Sequence, residues 1–246
     1  MDRIALNLYF RPLLLKHMRK LLLALAIIPT CAFGQVSLRP YVGGGYGTVS
    51  EQGFKSLGER SGAFIQNAGV AVVYELNNWF VSAGAGYLST GVTYDLGTLN
   101  MSSPSEPALY WTDVTIISKY QHLTIPLTVG RILSLQKFSL LPEVGIDLSY
   151  NLSQKSKMRS TGGPNTDYRK NDHFSNDYNR ISIFAGVSLM MSYKLTDRLS
   201  VFCGPSYKYM VTSILNHHTN ALTGASLSQN HQAILLNAGV YIGFPK

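Results

Sequence analysis

The last strand-like stretch of the chain, HQAILLNAGVYIGF, sets Gln232, Ile234, Leu236, Ala238, Val240, Ile242 and Phe244 against His231, Asn237, Gly239, Tyr241 and Gly243. A period of two sends alternate side chains to opposite faces of a β-strand. The alternation runs well past the about 5 or 6 residues of an ordinary soluble strand. It suits a strand tilted across a bilayer, which needs about 9 to 11 residues. The same rhythm recurs along the chain, so it limits the fold before any motif is considered.

The N-terminal apolar run does not contradict this. Leu21 to Ile28 is eight residues long, short of the roughly 20 a membrane helix needs. With Arg19 and Lys20 before it, Pro29 after it and Ala32-Phe33-Gly34 as a small-x-small cleavage site, residues 1–34 read as a signal peptide. The mature domain, 35–246, would start at Gln35, and Met18 is a second candidate initiator. Cys31 invites a lipoprotein reading, but Ile28-Pro29-Thr30 lacks the small residue required ahead of a lipidated cysteine. Removing 1–34 takes away five basic residues and one acid, so the net charge falls from +8 to +4. No basic stripe or recognition motif for nucleic acid remains. Cys203 is then the only cysteine, which leaves no disulfide to brace an exported chain.

Eight candidate strands follow, at 36–50, 63–75, 79–94, 114–132, 138–152, 179–194, 199–212 and 230–244. Leu76-Asn77-Asn78, Ser134-Leu135-Gln136-Lys137 and Thr196-Asp197-Arg198 are short connections, whereas 51–62, 95–113, 153–178 and 213–229 are long and polar or rich in turn formers. Short and long connections alternate, and both termini fall on the short side. That is the plan of an all-β, eight-stranded antiparallel up-and-down transmembrane β-barrel of the bacterial outer membrane, with tight periplasmic turns and long external loops. Face assignment agrees: Phe138, Leu140, Val144, Ile146, Leu148 and Tyr150 oppose Ser139, Glu143, Asp147 and Asn151, and Ile181, Ile183, Val187, Leu189 and Met191 oppose Arg180, Ser182, Ser188 and Ser192. Trp79, Tyr87, Tyr150, Tyr193, Tyr207 and Tyr209 fall on the apolar faces, as girdle aromatics do. A soluble lipocalin-like barrel is the alternative, with apolar side inward around a ligand and charge outside.

The segment KYQHLTIPLTVGRI resembles the aromatic-x-x-Leu-x-Ile-Pro-Leu pattern of the PorT-like outer-membrane β-barrel proteins, with Tyr120, Leu123, Ile125, Pro126 and Leu127 at the pattern positions. RPYVGGGYG in the first strand, GPSYKY in the seventh and the Gly-x-Tyr-x-Gly-Phe type of ending support the likeness across nearly the whole mature chain. Thr124 stands where the pattern often has an acid, and the chain ends Phe244-Pro245-Lys246 rather than on the aromatic. The resemblance implies outer-membrane residence, an eight-stranded barrel and, for most members, no assigned activity. Some relatives take part in protein secretion, but no residue pattern here specifies that role.

Eight strands enclose a space that side chains fill, so free solute passage is not expected. The inward set holds Arg39, Arg180 and Lys208 against Glu143 and Asp147, together with His122, Tyr41, Asn67 and Asn237. Buried charges need partners, so a polar network plugging the lumen is expected, with an ion or proton path as the alternative. The third long loop carries Lys155, Lys157, Arg159, Tyr168, Arg169, Lys170 and Phe174 as binding candidates, and its bases pair well with phosphate oxygens such as those of lipopolysaccharide. Expected partners are outer-membrane lipid, the export and barrel-assembly machinery, and a protein at the external loops or periplasmic turns. His173 and His217-His218 show no zinc-ligand spacing, and no cofactor or catalytic set is expected. An outer-leaflet lipid-modifying or proteolytic enzyme, drawing on Asp172, His173 and Ser175, is the competing functional reading.

Overall fold

The computed structural model describes residues 35–52, 59–100, 110–161, 166–170, 179–214, 218–219 and 226–244. The expected signal peptide lies outside these residues. The strands are β1 (Gln35–Gln52), β2 (Glu59–Leu76), β3 (Trp79–Asn100), β4 (Tyr110–Arg131), β5 (Leu133–Leu135), β6 (Phe138–Thr161), β7 (Thr166–Lys170), β8 (Ile181–Lys194), β9 (Leu199–Met210), β10 (His218–Thr219) and β11 (Ser226–Gly243). Eight of them, β1, β2, β3, β4, β6, β8, β9 and β11, pair in that order, each antiparallel to the next. β11 then returns to β1, with Leu38 opposite Ile242, Tyr41 opposite Gly239 and Thr48 opposite Gln232. The sheet is therefore a closed eight-stranded up-and-down barrel, and closure gives every stave a partner on both sides.

The outward face is apolar. Val42, Val72, Ile125, Ile146, Val187 and Leu236 are exposed on six different staves, Leu236 at 64%. Through the middle of each stave no Asp, Glu, Lys or Arg faces outward. On β4 the charge-free outward run is bracketed by Arg131 and Lys119, twelve residues apart. At about 3.3 Å per residue and a tilt near 40°, that separation projects to about 30 Å along the barrel axis, the thickness of a bilayer's hydrocarbon core. Polar side chains left over from the alternation point into the barrel. This is the transmembrane arrangement and the reverse of a lipocalin's, so the ligand-holding soluble barrel is set aside.

Three tight connections lie at one end. Asn77-Asn78 links β2 to β3 and Gln136-Lys137 links β5 to β6, with Asn77 and Gln136 at φ 56° and 55°. Left-handed residues match the twist of a two-residue hairpin, and Asn adopts that region readily. In the turn between β8 and β9, Thr196 Oγ1 accepts from the backbone N–H of Leu199 at 3.0 Å, and Lys194 pairs with Asp197 at 2.9 Å. The hydrogen bond and the charge of Lys194 hold the Asp197 carboxyl below its ordinary range. This contact is present at neutral pH and released when acid protonates Asp197.

At the other end the staves outrun the expected boundaries. β3 extends to Asn100, β4 begins at Tyr110 and β6 continues to Thr161. The third long connection is in part a folded-back strand, since β7 pairs with β6 from Gln154↔Lys170 to Met158↔Thr166. Ser, Thr, Lys and Gln do not announce a strand by hydrophobic period, but β4 offers β6 a continuing ladder up to Thr112↔Thr161. Neighbouring backbone, rather than side-chain pattern, extends the sheet there.

A charge placed on the outward face tests this reading. Val187→Arg, at the middle of β8, is expected to cost about 2 to 4 kcal/mol of stability in lipid, and Leu195→Arg, at the turn, about 0 to 1. Urea unfolding of the barrel from phospholipid vesicles measures both.

Candidate functional site

The lumen is packed in layers. Nearest the tight turns, Val73, Phe80, Leu141, Met190 and Phe202 form a buried apolar cluster, with Tyr41, Ile132 and Tyr241 against it. Arg39 is set into this cluster. Its guanidinium lies 5.9, 6.0 and 5.7 Å from the ring centres of Phe80, Phe202 and Tyr241. It donates to Glu143 Oε2 at 2.9 Å, to the Tyr241 hydroxyl at 3.0 Å and to Ser82 Oγ at 3.2 Å. Ser188 donates to the other oxygen of Glu143 at 2.7 Å, and Thr128 reaches the first at 3.4 Å. A guanidinium set among aromatic rings and hydrogen-bonded to a carboxylate keeps its charge compensated inside the protein.

Above this lies a polar layer. Lys208 Nζ pairs with the Asp147 carboxylate. Asn67 donates to Asn237 Oδ1 at 2.8 Å, and Asn237 donates to Ser206 Oγ at 2.7 Å. Tyr41 projects into the same layer because Gly69 and Gly86 leave room for it. A Cβ at either position would come within 2.5 or 2.7 Å of the Tyr41 hydroxyl. The space left among Arg39, Tyr41, Glu143, Asp147, Lys208 and Asn237 amounts to about 70 Å³.

A second apolar cluster closes the barrel toward the long loops. It comprises Ile65, Leu88, Tyr120, Phe184, Met210, Ile214, Ala233 and Leu235, all buried. Two buried histidines stand within it. His122 is held between Thr90, whose hydroxyl lies 2.9 Å from Nε2, and the side-chain oxygen of Asn151 at Nδ1. Asn151 in turn donates to Ser182 Oγ at 3.0 Å and to the Asn179 carbonyl. His231 meets the Tyr120 ring edge on, with centres 4.5 Å apart. At the tight-turn end the lumen opens into a cavity of about 320 Å³ bordered by Glu75, Lys137, Lys194, Asp197 and Arg198.

Alternation along the strands thus brings Arg39 to Glu143 and Lys208 to Asp147, in two separate pairs, and sets His122 apart from both in the upper cluster. Arg180 is different. Its place in the alternation puts it inward, yet β8 begins only at Ile181, and Arg180 is exposed on the rim. Its carbonyl accepts from the backbone N–H of Asn151 at 2.8 Å, while the side chain is in solvent. Arg180 stands one position before β8 begins, where side-chain alternation no longer sorts the faces. His231 was legible only as a member of the inward set of the last strand, because nothing in the sequence says that a Tyr from β4 will close over it.

Of the external candidates, Lys155, Lys157 and Arg159 lie exposed on the outward side of β6 above the apolar band. Tyr168, Arg169 and Lys170 belong to β7, in register with Ser156, Lys155 and Gln154. Phe174, with Asp172, His173 and Ser175, lies outside the described residues, as does His217. Among the described residues no group of three or more His, Cys, Asp or Glu is placed to hold a metal ion.

No protein-family model and no curated protein matches the chain. Among solved structures it is similar to Neisserial surface protein A, at 18% identity over 85% of this chain and 97% of that one, with a TM-score of 0.40. It is similar also to Ail, the attachment invasion locus protein of Yersinia pestis, at 16% identity over 85% and 99%, TM-score 0.37. A major outer membrane protein from Thermus thermophilus is similar at 12% identity over 87% and 100%, TM-score 0.46. Likeness of this order carries no activity from one chain to another.

Removing one partner of the lower ion pair leaves the other charge buried. Arg39→Met alone is expected to cost about 3 to 5 kcal/mol of stability, whereas Arg39→Met with Glu143→Leu recovers most of the loss. Parallel urea unfolding of the single and double variants in lipid checks the coupling.

Proposed function

We propose that the protein is a resident of the bacterial outer membrane, of the PorT-like type, and that it serves as a structural or interaction protein through its external strands and loops, without enzymatic activity. The observation that carries this reading is the pairing of a charge-free outward band with a lumen stopped at two levels by apolar clusters. Such a barrel holds itself in hydrocarbon and offers solutes no continuous wet path. Between the two apolar clusters, among the described residues, Arg39 is matched to Glu143 and Lys208 to Asp147, which gives a permeating ion no unpaired site there to replace its hydration.

Interaction then falls to the parts outside the bilayer. Long loops presented by a rigid scaffold are where binding ordinarily sits, and here the scaffold continues upward as the β3, β4, β6 and β7 wall. The barrel core tolerates variation in the loops because each stave is held by its two neighbours. A role in protein secretion belongs to this reading only as one form of partner binding.

Four measurements test it. The mature chain folded in mild detergent should migrate faster unheated than boiled, as a closed barrel does, and should show no steady open conductance in planar bilayers. Open channels of uniform size would overturn the plugged lumen, and hydrolysis of phospholipid or peptide by the pure folded barrel would favour the enzyme instead. Gentle crosslinking in native membranes, followed by purification, is expected to capture a partner through the external wall.

A further inference from the structure

The outward face of the external wall carries charge in graded rows. The lowest row runs Gly91, Lys119 and Lys155 across β3, β4 and β6, each in register with the next. The row above is Thr93, Ile117 and Lys157. The one above that is Asp95, Thr115 and Arg159. Among the described side chains of these rows an acid enters only in the highest, at Asp95. Lys119 and Lys155 are both exposed, directly opposite each other, and neither is paired with an acid among the described residues. Like charges facing across an antiparallel pair repel, and ordinary surface sequence avoids the arrangement by interleaving an acid.

The height of this row gives it meaning. Below it the outward side of β4 and β6 passes through Gln121 and Ser153, hydrogen-bonded at 2.7 Å, to Leu123 and Tyr150. Lys119 is also the upper limit of the charge-free run that starts at Arg131. The bare lysine pair thus stands at the level of lipid headgroups on the long-loop side, with its aliphatic stems beside the apolar band. Gly91 has no side chain to obstruct the Lys119 stem, whose Cγ lies 3.5 Å from where a Cβ would be. Lysine stems lie along apolar surface while the ammonium groups reach the interface.

We propose that Lys119 and Lys155 form a binding site for the phosphates of an anionic glycolipid of the outer leaflet, the lipid A part of lipopolysaccharide. This rests on the outer-membrane reading above and adds the ligand and the residues. A phosphate lying between two opposed ammonium groups removes their repulsion and accepts charge-assisted hydrogen bonds from both. Asp95, two rows higher, stays clear of it, and the acyl chains run down the adjoining apolar face.

The test uses the mature chain folded in detergent, mixed with bis-phosphorylated lipid A and followed by native mass spectrometry. Wild-type protein should retain the lipid, and K119R/K155R should retain it equally. K119E/K155E should lower the bound fraction about tenfold or more, the scale of losing charge-assisted contacts to phosphate. The same lipid stripped of both phosphates should bind wild type as weakly as the intact lipid binds K119E/K155E. Retention by K119E/K155E within about twofold of wild type, in a barrel that keeps its heat-modifiable migration, would overturn the site. Complete displacement by millimolar inorganic phosphate would overturn the lipid assignment in favour of a free anion. Failure of the wild-type chain to show heat-modifiable migration would instead overturn the barrel reading on which the site stands.

Discussion

Everything in this molecule depends on the pairing of its first stave with its last. Where β1 meets β11, from Ser37↔Gly243 to Gln52↔Ser228, the sheet loses its two edges, and with them the rows of unpaired N–H and C=O groups that hydrocarbon would not tolerate. Once the ring is closed, each side chain has only two destinations. Those sent outward meet lipid, and those sent inward share a narrow cylinder with seven other staves. The apolar belt and the layered lumen are the two outcomes of this division.

The narrow cylinder explains the lumen chemistry. Charges sent inward cannot reach bulk water, so each needs a partner from another stave: Arg39 on β1 finds Glu143 on β6, and Lys208 on β9 finds Asp147 on β6. The partners are 104 and 61 residues apart in the chain. They meet because the ring is small enough for long side chains to span it. Room for them is made by glycine, since the Tyr41 hydroxyl occupies space that side chains at Gly69 and Gly86 would fill. The apolar clusters above and below separate the pairs from bulk solvent.

Outside the bilayer the same sheet has a different constraint. Water can satisfy the backbone there, so strands are free to stop, yet β3, β4 and β6 continue and β7 joins them. Side-chain alternation no longer sorts apolar from polar in this wall, but it still sorts faces. The cations of β6 at 155, 157 and 159 share the outward side for the same reason that Val144, Ile146 and Leu148 do below them. The belt and the basic face are parts of one surface, and their relative height follows from strand geometry.

The residues by themselves were enough for the number of staves, their antiparallel order, the sorting of short and long connections, and which face of each stave meets lipid, because a strict period of two leaves only two choices and charge tells them apart. They were also enough to collect Arg39, Glu143, Asp147, Lys208 and His122 on the inward side. Tertiary structure decided which of these touch, since inward is a single direction in sequence but a stack of separate layers in space. It also decided that Arg180 stays outside, at a rim where no ladder fixes its face, and that a polar stretch at 153–161 is strand. For 153–161 the deciding force is hydrogen bonding with neighbouring staves, and a linear pattern of side chains carries no record of those neighbours.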